Sequence, residues 1–199
     1  MNESKDEKRK KRNRRSRSKK QNDTIINIVY SNIQGITKKK ESLTHIMEEL
    51  GCDVCLLAET MTRTIKIKDC RCFTANKSIG QNVCVIVRNK LIDKKIIKMF
   101  EPNELVNMLG IRIELLNTGI RLYTAHLKQQ SVCSREDIAA QFEEIRKQFQ
   151  DASKGNERML IILDANVHVG KEVIKGGIEK QDWGGKMMMK MIEEGDRFV

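Results

Sequence analysis

The most informative part of the sequence is Val54-Cys55-Leu56-Leu57-Ala58-Glu59-Thr60, in which five apolar residues run directly into an acid. A short unbroken apolar run is typical of a strand buried on both faces. Three further pieces repeat this arrangement of a strand-like run ending in polar residues: Asn32-Ile33-Gln34-Gly35, Thr124-Ala125-His126-Leu127 and Leu163-Asp164-Ala165-Asn166. If these ends meet at one rim of a sheet, their carboxylates and amides can hold a hard divalent cation and a phosphate. The pattern favours a metal-dependent phosphodiesterase.

The beginning of the chain differs sharply from the rest. Residues 1–20 are almost wholly polar and carry most of the formal net charge of +11. A segment with so few apolar residues has nothing to bury, so we expect residues 1–23 to form a disordered basic tail. The positive charge of this tail suits the phosphates of DNA or RNA, or a nuclear import receptor. The alternative is that the tail is only a solubilising arm. We expect a nuclear protein that binds nucleic acid.

The sequence predicts no membrane partner. No apolar window approaches the roughly 18 residues that a membrane span needs. The charged start also lacks the apolar core of a signal peptide, so we expect the chain to be intracellular.

Two cysteine pairs raise the question of a zinc site. Cys52 and Cys55 form a C-x-x-C pair, and Cys70 and Cys72 form a C-x-C pair. Cys55 lies inside an apolar run, and a strand there would point Cys52 and Cys55 to opposite faces. We therefore expect buried or edge thiols, since free cysteine behaves as a small hydrophobic residue.

From residue 24 to residue 199 the pattern is that of one mixed α/β domain. Segments rich in Val, Ile and Leu predict strands at 25–31, 53–58, 71–74, 82–88, 94–99, 108–115, 120–126 and 159–163. Helical spacing predicts helices at 38–50, after Ser134 and at 186–194. Several middle strands lie too close together for intervening helices, so we expect them to be antiparallel. The simplest arrangement is two mixed sheets packed face to face with helices outside, a four-layered α/β sandwich.

In this order the four polar blocks resemble the signature motifs of the endonuclease/exonuclease/phosphatase superfamily. Val167-His168-Val169-Gly170, and Gln129-Gln130-Ser131 before a helix, are similar in particular to the apurinic-type endonuclease domains of non-LTR (LINE-type) retrotransposons. The resemblance covers about residues 24–199. It implies a four-layered α/β sandwich, a DNA substrate, and Mg²⁺ or Mn²⁺ as cofactor.

The resemblance also implies roles for individual residues. Glu59 matches the principal metal ligand, and Asn32 matches an asparagine at the metal or the scissile phosphate. Asp164 matches the acid that orients or deprotonates the attacking water, and Asn166 the amide that helps to hold the phosphate. His126 occupies a position from which Tyr or His donates a hydrogen bond to the phosphate.

Two further residues are assigned to the substrate side on the same ground. Gln34 stands where the family often has an amide that contacts substrate or metal. Arg112 stands where a buried arginine supports the rim of the sheet. Each of these roles has a structural alternative. Glu59 can be a solvated acid, His126 a structural histidine, and the remaining polar residues at strand ends can be turn residues.

The sequence departs from the family pattern in two places. Leu163 replaces the usual glycine before Asp164, and nothing after Asn166 matches the family's catalytic Asp-His block. The resemblance therefore predicts that the last strands of the sandwich are missing. Two functions stay open, namely a DNA-nicking endonuclease of retroelement origin and a catalytically inactive module that binds nucleic acid. A third, cleavage of another phosphodiester or a phosphoinositide, is disfavoured by the basic tail and favoured by His126.

Overall fold

A computed structural model describes residues 25–62, 64–75, 82–103, 106–114, 118–128, 133–166, 172–174, 178–180 and 183–195. The predicted tail over residues 1–23 and the segments 129–131 and 167–170 lie outside the described residues. Within the described part of the chain, no helix is both long enough and apolar enough to cross a membrane.

Four strands form the first sheet, here called sheet I. Strands β1 and β2 are parallel, because a helical crossover, α1, returns the chain to the same edge. Strand β4 is antiparallel to both β2 and β3, giving the order β1-β2-β4-β3. The bounds are β1 (Ile28–Asn32), α1 (Lys40–Glu49), β2 (Val54–Ala58), β3 (Cys70–Thr74) and β4 (Cys84–Arg88).

The second sheet, sheet II, has the order β5-β6-β7-β8. Strands β5, β6 and β7 are antiparallel, as the short connections predicted, whereas β7 and β8 are parallel and joined through a long helix, α3. The bounds are β5 (Ile97–Met99), β6 (Met108–Glu114), β7 (Gly119–His126), α3 (Arg135–Lys154) and β8 (Arg158–Asp164).

The main hydrophobic core lies between the two sheets. Leu56 and Val85 of sheet I pack with Leu109, Ile111 and Leu122 of sheet II, and each of these five is at most 1% exposed. They occupy alternate positions along their strands, which places them on one face of each sheet. The sheets therefore stack face to face.

Helices cover the two outer faces. Leu43 and Met47 of α1 pack on sheet I, whereas Phe142 and Ile145 of α3 pack on sheet II. The last helix, α4 (Trp183–Gly195), lies against α3. The layers are helix, sheet, sheet and helix, so the predicted four-layered α/β sandwich is confirmed.

The predicted start of α3 is confirmed by its capping contacts. The Ser134 hydroxyl accepts a hydrogen bond from the Asp137 backbone amide at 3.1 Å, and the Asp137 carboxylate accepts one from the Ser134 amide at 3.2 Å. This reciprocal capping box satisfies two amides that a helix start leaves unpaired.

The sequence patterns did not predict three short elements. The short helix α2 (Asn89–Asp93) and the antiparallel hairpin of β9 (Glu172–Ile174) and β10 (Ile178–Lys180) are additions. Helix α4 begins at Trp183, three residues before the predicted start at 186, and includes Gly184 and Gly185. These elements are short or glycine-containing, so their apolar periodicity is weak.

The expectation that Cys52 and Cys55 point to opposite faces is wrong. Cys52 lies before β2 begins, so strand alternation does not apply to it. Both thiols are buried in the same cluster beneath α1, where Cys70 and Cys72 also pack partly buried. The expectation of buried or edge thiols is confirmed.

Candidate active site

Both parallel strand pairs end at the same rim of the sandwich. In sheet I, Asn32 at the end of β1 is in register with Ala58, the residue before Glu59. In sheet II, His126 at the end of β7 is in register with Asp164 at the end of β8. Parallel neighbours end at a common edge. Four of the predicted site residues therefore face each other across the gap between the sheets.

The amide of Asn32 joins the two sheets. Its Nδ2 atom donates to Glu59 Oε1 at 3.0 Å and to Asp164 Oδ2 at 2.7 Å. A neutral amide that donates to two carboxylates offsets part of their mutual repulsion. The two acids are thereby held close together without a positive side chain between them.

His126 lies deeper in the same cluster, with a side chain only 2% exposed. Its Nε2 atom is 3.5 Å from Glu59 Oε1 and 3.3 Å from Asn166 Nδ2. The Asn166 amide also donates to the Leu127 carbonyl oxygen at 2.8 Å. Five of the predicted residues are thus within one connected set of contacts.

The donor set fits a divalent cation. Glu59, His126 and Asp164 each offer one ligand atom, and these three atoms all lie within 4.8 Å of one another. Carboxylate oxygens are the protein ligands that Mg²⁺ and Mn²⁺ accept, and one or two suffice for Mg²⁺. The residues present can therefore hold one such ion at the rim.

Glu59 adopts an unusual backbone conformation. Its φ is 53°, in the left-handed region that costs an ordinary residue about 1–3 kcal/mol. The turn is held by the Gly35 amide, which donates to the Glu59 carbonyl at 2.7 Å, and by the Thr60 amide, which donates to the Asn82 carbonyl at 3.0 Å. Gln34 and Asn166 at the same rim share this left-handed region, as do five other described non-glycine residues, so the conformation is a property of these turns.

Comparison of the sequence with protein-family models and with curated proteins gives no match. Solved structures do match. The endonuclease domain of TRAS1, a telomere-specific non-LTR retrotransposon, has a TM-score of 0.60 over 86% of this chain and 71% of its own, at 14% identity. The AP endonuclease LMAP from Leishmania major has a TM-score of 0.63 over 87% and 66%, at 14% identity. A humanized TDP2 from D. rerio has 0.50 over 72% and 67%, at 16% identity. All three belong to one superfamily. This chain has the endonuclease/exonuclease/phosphatase fold.

Within the endonuclease/exonuclease/phosphatase fold of this chain, Tyr30 is a site neighbour that the sequence patterns missed. It lies two residues before Asn32, on the same face of β1, and is half-buried against the inter-sheet core. Burial, followed by the negative charges of Asp164 and Glu59, raises the pKa of Tyr30 above its ordinary value. The sequence did contain a signal for this position, because Tyr30 is two residues from Asn32 and such residues lie on the same face of a strand.

Gln34 lies at the rim but, among the described residues, does not belong to the connected set of contacts around Asn32, Glu59 and His126. It is exposed in the turn after β1, two residues beyond Asn32, with a φ of 47°. Its contact with the substrate stays a prediction.

Arg112 is not brought to the cluster. It is in register with Arg121, five residues before His126 in β7, which places it about 16 Å down the sheet at roughly 3.3 Å per residue. Its guanidinium pairs with Glu157 and Glu114. Arg112 therefore braces the opposite end of sheet II.

Proposed function

We propose that this chain is a metal-dependent phosphodiesterase domain that nicks DNA. The observation that carries the proposal is the convergence of Glu59, His126 and Asp164 within 4.8 Å at the rim where both sheets end. Phosphodiester hydrolysis needs a cation against the phosphate and a carboxylate beside the attacking water. The fold shared with TRAS1 and LMAP, whose names describe endonucleases, supports the same chemistry.

Glu59 is the carboxylate that would hold Mg²⁺ or Mn²⁺, with Asn32 beside it. A cation held there would neutralise the charge that develops on the phosphate during attack. The Asn32 amide presents its nitrogen to both acids, and rotation by 180° presents its carbonyl oxygen instead, which is a ligand for a hard cation. Asn32 can therefore donate to the two acids when the site holds no ion and offer its carbonyl oxygen to the ion when one is bound.

Asp164 orients the attacking water and accepts its proton. Its Oδ2 atom is held by the Asn32 amide, and its register with His126 fixes it at the rim. A base within hydrogen-bond reach of the water contributes typically about 10²- to 10⁴-fold to the rate.

Asn166 supplies a donor for the phosphate. One amide hydrogen is fixed on the Leu127 carbonyl oxygen, which anchors the side chain. The other points towards His126 Nε2, and a phosphate oxygen bound on that side would accept it without any rotation of the amide.

DNA is the proposed substrate, and the nucleus the proposed location. The phosphates of a duplex suit a chain with a formal net charge of +11. The likeness to the endonuclease domain of a non-LTR retrotransposon supports a retroelement origin.

The test is conversion of supercoiled plasmid to nicked circles with Mg²⁺ or Mn²⁺. We expect Glu59→Ala and EDTA each to abolish nicking, with a loss of about 10³-fold or more because transition-state charge loses its partner. Glu49→Ala is the matched control, since Glu49 is an exposed acid on α1 that pairs with His45. Nicking that survives in Glu59→Ala refutes the assignment.

Binding without cleavage would favour the second function, a catalytically inactive nucleic-acid-binding module. The basic residues 1–20 support that alternative, because Lys and Arg side chains bind nucleic-acid phosphates without any catalytic group. The same plasmid preparation resolved by gel shift distinguishes the two outcomes.

A further inference from the structure

His126 brings a nitrogen ligand into a site otherwise made of oxygens. Its ring is 2% exposed, so it has little access to a substrate lying outside the rim. Its Nε2 atom nevertheless lies 3.5 Å from Glu59 Oε1 and belongs to the three-residue ligand group with Asp164. Sequence resemblance predicted a phosphate contact for this histidine, and its burial argues for a different partner.

The contacts of Nε2 indicate that it carries a lone pair and no hydrogen. Asn166 Nδ2, at 3.3 Å, carries only hydrogens, so Nε2 faces it as an acceptor. The 3.5 Å separation from Glu59 Oε1 is longer than an ordinary hydrogen bond. The imidazole lone pair and the carboxylate oxygen therefore face each other without a hydrogen between them, and a cation placed there would take the lone pair in exchange for the Asn166 hydrogen bond.

We propose that His126 Nε2 is a ligand of the ion, and that the site consequently takes Mn²⁺ in preference to Mg²⁺. The inference rests on the proposed ion at Glu59. An imidazole nitrogen adds affinity for first-row transition ions, of which Mn²⁺ is the weakest binder. Mg²⁺ is held through oxygen ligands and retained waters and gains little from the ring.

The selectivity follows from one side chain. With the imidazole in place, we expect Mn²⁺ to bind at least about tenfold more tightly than Mg²⁺. In His126→Gln, the Mn²⁺ affinity should fall roughly 10- to 100-fold, since loss of even a ligand's hydrogen-bond partner has that effect. The Mg²⁺ affinity should change by no more than about threefold, because oxygen ligands carry it.

The experiment is an electron paramagnetic resonance titration of the full chain with MnCl₂ at fixed pH and without DNA, followed by competition with MgCl₂. Pulsed measurement on the Mn²⁺-loaded protein then tests for nitrogen coupling to the metal, which a directly bound imidazole produces. The variants are His126→Gln and, as a matched control, His45→Gln, whose ring is exposed on α1 and pairs with Glu49. Circular dichroism checks that each variant folds.

The expected result is nitrogen coupling in the unmodified protein and in His45→Gln, with its loss and the loss of Mn²⁺ preference in His126→Gln. Mn²⁺ that binds the unmodified protein through Glu59 without nitrogen coupling overturns the inference and leaves the proposed function standing. Failure of both ions to bind overturns both. The measurement on the unmodified protein decides the question even if His126→Gln does not fold.

Discussion

Replacement of Asn32 by aspartate tests whether the site is organised around a cation. The amide donates to Glu59 at 3.0 Å and to Asp164 at 2.7 Å. Asn32→Asp has almost the same shape but places a third carboxylate against the other two. Without a cation we expect the variant to lose stability, and with a divalent cation we expect the loss to be reduced or reversed.

The size of the effect follows from the two distances. Two like charges about 3 Å apart repel by roughly 5 kcal/mol at an effective dielectric constant near 20. The new acid can avoid this by remaining protonated, which at pH 7 costs at most about 4 kcal/mol for an ordinary pKa near 3.9. Residue 32 is exposed, so solvent weakens the repulsion further. We therefore expect a loss of about 2 kcal/mol, or roughly 4–8 °C in melting temperature for a chain of this size.

Thermal unfolding in EDTA and in MnCl₂ measures both halves of the prediction. Asn156→Asp is the matched control, because Asn156 is exposed in the turn between α3 and β8. The cation should raise the melting temperature of Asn32→Asp more than that of the unmodified chain or the control. An Asn32→Asp variant within about 1 °C of the unmodified chain in EDTA would refute the reasoning.

Three further predictions concern the rest of the molecule. Glu157→Gln should lower the free energy of unfolding in urea by about 2–3 kcal/mol, since it leaves two arginines of sheet II without their shared acid. The control Glu143→Gln, at an exposed acid, should lower it little. Burial raises the pKa of Glu157, but hydrogen bonds from those arginines outweigh burial and hold the pKa below its ordinary value. The stability that the Glu157 ion pairs contribute is therefore present above the unfolded pKa near 4.3 and is lost as pH falls through the folded pKa. An equal loss of stability on acidification in Glu157→Gln would contradict this. Gly110→Ala should destabilise by about 1–3 kcal/mol, because its Cβ would lie 2.3 Å from the Tyr123 ring, and unchanged chemical denaturation would contradict the packing. Deletion of residues 1–20 should weaken plasmid binding and flatten its salt dependence, which a filter-binding series at several salt concentrations measures, and unchanged binding would remove the tail from the interface.

The local structure was predictable where one short pattern dominates. The apolar run at residues 54–58 became β2, and Ser134 with Asp137 became a helix start, because burial and capping depend on adjacent residues. The left-handed conformation of Glu59 was not predictable, since a β2 sequence pattern contains no signal for it. It is held by the Gly35 amide, which donates to the Glu59 carbonyl, and by the Thr60 amide, which donates to the Asn82 carbonyl.

Arg112 shows how a correct strand can carry a misassigned side chain. Its flanking isoleucines predicted a strand, and β6 is there. Alternation, however, gives only the two faces of a strand and not which end of the sheet a position occupies. Antiparallel pairing with β7 places Arg112 opposite Arg121, away from the rim.

The amino-acid sequence alone determined the alternation of strands and helices and the presence of acids and amides at strand ends, because these depend on local periodicity. Only the tertiary structure decided that the ends of β1 and β8 face each other. Asn32 and Asp164 are 132 residues apart in the chain, yet their side chains meet at 2.7 Å. Two helical crossovers make the edge pairs parallel, and burial of the inter-sheet core stacks the two edges. That contact depends on the packing of the whole sandwich, and no short segment of sequence encodes it.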